Sequence, residues 1–73
     1  MKLRFTYHAQ SQLLAREIPA SWVADAIRKP ESSGPAPGGL YAYRKMFEGR
    51  TLEIICAKGK LKNEYLVLTM YYL

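Results

Sequence analysis

Ten residues in the middle of the chain, PESSGPAPGG from Pro30 to Gly39, hold three prolines, three glycines and two serines. Proline fixes φ and removes a backbone donor, and glycine leaves the backbone loose, so residues 30–39 read as a loop. The loop cuts the chain into two stretches of different periodicity. Neither is long enough for a core of its own, so the 73 residues form a single domain over 1–73.

The stretch before the loop is helical. Thr6 suits an N-cap, and good helix formers follow from Tyr7 to Glu17. Ala9 and Leu13 suggest a buried side that Leu14 widens, while His8, Gln12 and Arg16 recur every fourth residue on a separate stripe. Pro19 interrupts the pattern. PASW then opens a second helix with Ser21 as a further possible cap, and Trp22, Val23, Ala26 and Ile27 form its apolar face. Pro30 stops it. The expected helices cover about 7–17 and 20–29. KLRFT, Lys2 to Thr6, reads as a short strand or an extended lead-in.

The stretch after the loop is strand-like. LYAYRKMF (40–47), TLEIICA (51–57) and EYLVLTMYYL (64–73) are joined by short turns at EGR and KGKLKN. The expected fold is therefore α+β, with two N-terminal helices packed on a three-stranded antiparallel meander over 40–73. On the last strand, Leu66, Leu68 and Met70 are expected to face Leu13, Val23 and Ile27 in the core. Tyr65, Val67, Thr69 and Tyr71 would then occupy an open, hydroxyl-rich face suited to RNA.

Eleven Lys and Arg against six Asp and Glu give a charge of +5, which attracts polyanions. One cysteine, Cys56, excludes an internal disulfide. With a single histidine, it is also too few for a Cys/His zinc site. The N-terminal residues lack the apolar core of a signal peptide, and no run approaches the ~18 apolar residues of a membrane span. A reduced, cytoplasmic setting is expected, with no metal and no cofactor.

The order of several elements resembles a known family. His8–Ala9, Arg16 before Ile18, Val23, Ile27 and Pro30, the turn at Gly49–Arg50, the strand Leu52 to Ile55 and the final Thr69–Met70–Tyr71 follow the pattern of the 4258 family of domains of unknown function. That pattern has a basic residue where this chain has Gln12 and a glycine where it has Glu17. The family is similar in layout to small bacterial RelE/BrnT-like toxins. By this resemblance the chain is expected to be a ribonuclease of a toxin–antitoxin pair, with RNA or the ribosome as target and an antitoxin protein as partner.

Metal-free RNA cleavage needs a group to take the 2′-hydroxyl proton, a clamp for the phosphate and a donor for the leaving oxygen. The residue types available are His8 as acid or base, Arg16 and Arg50 as phosphate clamps, and Thr69 with Tyr71 as donors. Each has a plainer alternative. His8 can be a helix-start histidine, and Arg16 an ion-pair partner of Glu17, Asp25 or Glu53. Arg50 can be a solvated turn residue, and Thr69 and Tyr71 mere strand formers. Arg44, Lys45, Lys58, Lys60 and Lys62 are candidate backbone-phosphate contacts, with KGKLK also readable as a solvated hairpin. Tyr41, Tyr43, Tyr65 and Tyr72 read as packing or stacking groups, Cys56 as a buried small hydrophobe, and Trp22 as core or partner contact. The rival functions are a non-catalytic RNA- or ribosome-binding module, and a homodimer pairing through a strand edge.

Overall fold

The computed structural model describes residues 1–73. In chain order the elements are β1 (Lys2–Phe5), α1 (Tyr7–Ala15), α2 (Ala20–Arg28), β2 (Ser32–Ala36), β3 (Leu40–Phe47), β4 (Arg50–Lys58) and β5 (Glu64–Tyr72). They form one five-stranded mixed sheet in the order β1-β5-β4-β3-β2. The α+β class and the β3–β4–β5 meander hold; the three-stranded antiparallel sheet does not. Two further strands complete it. β1 pairs in parallel with β5, and β2 pairs antiparallel with β3.

β2 lies within the stretch read as a loop. It is an edge strand, where the missing N–H of Pro35 and the weak packing of Gly34 are tolerated. Gly38 and Gly39, both at positive φ (79° and 76°), make the turn that brings Leu40 opposite Ala36. The proline- and glycine-rich composition thus marks a hairpin rather than a free loop. Between β3 and β4, Glu48 and Gly49 both take positive φ (52° and 81°), as a two-residue primed hairpin turn requires.

Both helices cover one face of the sheet. Thr6 caps α1 as expected, accepting from Ala9 N at 3.1 Å. α1 is shorter than expected and buries only Ala9, with Leu13 partly buried; Leu14 does not widen that side, being 82% exposed. α2 starts at Pro19 as N-cap, so Ser21 lies inside the helix and does not cap it. Val23, Ala26 and Ile27 are buried as expected. Trp22 stacks on Phe47 with ring centroids 4.7 Å apart. No helix is long and apolar enough to cross a membrane.

The covered face of the meander is Leu52, Ile54 and Cys56 on β4 and Val67 and Met70 on β5, all fully buried. The expected Leu66–Leu68–Met70 face is wrong in its first half. Ile55 pairs with Thr69 but Cys56 pairs with Val67, so Leu68 is an extra residue in β5. A bulge of this kind reverses side-chain parity. Tyr65 and Val67 before it, and Met70 and Tyr72 after it, pack on the core, while Leu66 is exposed. Thr69 and Tyr71 remain on the open face, as expected, but without Tyr65 and Val67.

Candidate functional site

Alternation along the strands puts a polar row across the open face. Ser32, Arg44, Glu53 and Tyr71 stand abreast on β2, β3, β4 and β5, each opposite the next. Arg44 Nε donates to Glu53 Oε1 at 2.6 Å, and Arg44 Nη1 donates to Ser32 Oγ at 3.4 Å. The Tyr71 hydroxyl donates to Glu53 Oε2. One carboxylate thus takes both neighbours' donors, and Arg44–Glu53 is the single ion pair in the molecule. The hydrogen bond from Tyr71 holds the Glu53 carboxyl below its usual range, burial works against this, and Arg44 adds to it. The same bond, with burial, raises the Tyr71 phenol. Near neutral pH the row is therefore an ionised carboxylate between a neutral phenol and a guanidinium.

Two residues back along β5, about 7 Å on strand geometry, Thr69 lies on the same face. His8 Nε2 lies 3.0 Å from Thr69 Oγ1 and is hydrogen-bonded with it, the direction being set by the ring's tautomer. The placement of His8 follows from local structure. β1 stops at Phe5 opposite Val67, and α1 begins beside the bulge. Thr6 Oγ1 donates to the carbonyl of the bulged Leu68 at 3.1 Å while accepting from Ala9 N. One hydroxyl thereby fixes the first turn of α1 to β5 and sets His8 over Thr69.

The structure brings together His8, Thr69 and Tyr71 among the expected catalytic residues. It does not bring Arg16 or Arg50 to them. Arg16 is the C-terminal cap of α1 and donates from Nε to Gln12 Oε1 at 2.5 Å. Eight residues of helix separate it from His8, about 12 Å along the axis, and it pairs with none of Glu17, Asp25 or Glu53. The guanidinium of Arg50 sits 3.8 Å over the Tyr72 ring, and Tyr72 packs on the core. Arg50 is therefore on the covered side of the sheet, away from Tyr71.

The expected phosphate contacts also divide. Arg44 is in the row. Lys45, opposite Leu52, has the covered-face parity, and Lys58 lies 4.8 Å over the Tyr41 ring. Lys60 and Lys62 are exposed in the turn between β4 and β5. Cys56 is fully buried and its thiol is pushed up to about 11 by burial, with Lys58 pulling slightly the other way, so it behaves as a small hydrophobe.

Comparison of the chain with protein-family models, with curated proteins and with solved structures gives no match.

Glu53 and Ser32 are site residues outside the expected set. Glu53 is legible in principle. It is the lone carboxylate in TLEIICA, at the parity opposite to Leu52, Ile54 and Cys56. Ser32 is not legible, because the proline- and glycine-rich composition of its strand is that of a loop.

Proposed function

We propose that the open sheet face binds RNA and cleaves it without a metal ion, as a toxin-like ribonuclease. The observation that carries this is the pairing of His8, the chain's one histidine, with Thr69 on the face that also presents Tyr71, Glu53 and Arg44. In this reading His8 accepts the 2′-hydroxyl proton as the 2′-oxygen bonds to phosphorus. As imidazolium it returns the proton to the departing 5′-oxygen, leaving a 2′,3′-cyclic phosphate and a 5′-hydroxyl. Thr69 orients the ring. The guanidinium N–H groups of Arg44 that remain free are the donors to the non-bridging oxygens; Tyr71, whose one O–H goes to Glu53, braces the carboxylate that keeps Arg44 in place. Arg44 takes the clamp role expected of Arg16 and Arg50.

The resemblance to the 4258 family and to RelE/BrnT-like toxins supports the same reading, and with it go a cytoplasmic location and an antitoxin partner. One observation favours a second reading, a basic RNA- or ribosome-binding module without cleavage. Glu53 neutralises Arg44, so the row carries little net positive charge for a transition state.

The test is cleavage of single-stranded RNA in EDTA by the wild type and by His8→Ala. The expected result is metal-independent cleavage with cyclic-phosphate ends, reduced by about 10²–10⁴-fold in the variant. Full cleavage by the variant removes His8 from the mechanism. Salt-dependent binding with no product from either protein selects the second reading.

A further inference from the structure

At one end of the open face, beyond His8 and Thr69, lies a hollow of about 370 Å³. Its lining includes Arg4, Ala57, Lys60, Glu64 and Leu66. Ala57 and Leu66 pair across β4 and β5, and Arg4 pairs with Leu66 across β1 and β5, so the three lie side by side on one face. Leu66 is 37% exposed there, an uncovered apolar floor. Lys60 also lines the hollow, and Lys2 stands opposite Glu64 in the β1–β5 register. An apolar floor ringed by cations suits a nucleotide better than a bare anion: the base covers the floor and the phosphate meets the cations.

Glu64 is out of place in that ring. Its side chain lies across Gly59, where a Cβ would collide with the Glu64 carboxylate and γ-carbon. Despite the cations nearby, it makes no ion pair; the molecule's one ion pair is Arg44–Glu53. Glu64 is thus held by the space that Gly59 leaves, with no partner to keep it there.

We propose that this hollow is a second nucleotide subsite for single-stranded RNA, next to the His8 centre, and that the Glu64 carboxylate occupies it in the free protein and is displaced when RNA binds. Leu66 and Thr69 stand opposite Ala57 and Ile55, two residues apart on β4 and so about 7 Å, and one strand of RNA spans both places. The inference rests on the RNA reading above and adds where the neighbouring nucleotide sits and what competes with it.

The probe is a fluorescent 2′-O-methyl RNA hexamer, which lacks the attacking hydroxyl, titrated into the full chain by anisotropy at several salt concentrations. Arg4→Ala and Lys60→Ala each weaken binding several-fold, and each flattens the salt dependence by about 0.7 in the log–log slope, one phosphate contact. Leu66→Ser, at an exposed position, weakens binding without changing that slope. Glu64→Gln tightens binding, and so does Gly59→Ala, which expels the carboxylate without altering charge. Glu17→Gln, the same charge change at the end of α1, leaves it unchanged. If Arg4→Ala and Lys60→Ala bind like the wild type while the wild type cleaves RNA, the subsite is overturned and the RNA reading stands. If the wild type neither binds nor cleaves, both fall. If Glu64→Gln and Gly59→Ala bind no tighter, displacement of Glu64 is overturned.

Discussion

The two faces of the sheet are built from the same strands, one residue out of step. On the covered face Leu52, Ile54, Cys56, Val67 and Met70 are fully buried, and no polar or charged residue is buried with them. On the open face the neighbours of these residues form the chain Ser32–Arg44–Glu53–Tyr71, with His8–Thr69 beside it. Packing decides the first face and hydrogen bonding the second. The bulge at Leu68 keeps them separate. Val67 and Met70 are three residues apart, so in a regular strand one of them would point outward, and the polar residues would change sides with it. The extra residue also presents the carbonyl that Thr6 uses to hold α1 and His8.

Mutations that break one face should spare the other. The largest effect belongs to the covered face. Ile54→Ala should cost about 2–5 kcal/mol, a large share of the stability of a domain this small. Urea unfolding reads it as a lower midpoint with little change in slope. The RNA cleavage proposed above, read per folded molecule, should stay near wild type. Equal loss in both measurements would show that the faces are not independent.

Thr6→Ala acts at the joint between the faces. It should cost about 1–2 kcal/mol, as an N-cap deletion does. It should also lower cleavage beyond the loss of folded protein, because His8 loses its anchor. Thr6→Ser, which keeps the hydroxyl, should restore both. A stability loss with normal turnover per folded molecule would make Thr6 a cap and nothing more.

What the sequence made legible follows the same division. The covered side of α2, the Thr6 cap and the β3–β4–β5 meander follow from periodicity and cap chemistry, which are local. β2 was illegible because its prolines and glycines suit an edge strand and a loop equally well, and only its pairing with β3 distinguishes them. The Leu68 bulge was illegible because Leu66, Leu68 and Met70 alternate perfectly in sequence. The register against β4 overrides that pattern. Thr69 and Tyr71 were placed on the right face since both follow the bulge. The side of Arg50 is not legible without the register that sets it over Tyr72. His8 was legible as a residue type, and its partner 61 positions away was not.

The charged row makes stability depend on pH at both ends. Glu53 has a lowered pKa in the folded chain against an ordinary value of 4.5. The unfolded chain therefore binds the proton more readily, so this stabilisation is present above 4.5 and fades as pH falls through the folded value. Tyr71 is raised above its ordinary 10.0, so its contribution is full below 10 and fades as pH rises through the folded value. Tyr43 and Cys56, also raised, add to the alkaline loss. Urea midpoints across pH should show the acid limb flattened in Glu53→Gln and only part of the alkaline limb removed in Tyr71→Phe. An unchanged acid limb in Glu53→Gln would mean that the row does not stabilise the fold.

The smallest expected effect lies where α1 ends. Glu17 has φ 52°, a left-handed conformation that costs a side-chain-bearing residue and not glycine. Its N–H is bonded to the Leu14 carbonyl, and that of Ile18 to the Leu13 carbonyl, so the helix closes with a C-terminal cap and delivers the buried Ile18 to the covered face. A glycine at this position is what such a cap favours. Glu17→Gly should therefore stabilise the protein by about 0.5–1 kcal/mol, relief of strain offset by the greater freedom of the unfolded chain. It touches nothing on the open face, so cleavage should be unaltered while the urea midpoint rises. A fall in the midpoint would mean that the Glu17 side chain contributes more than its backbone costs. A change in cleavage would mean that the α1–α2 joint reaches His8 through the length of the helix, and the two faces would then be coupled after all.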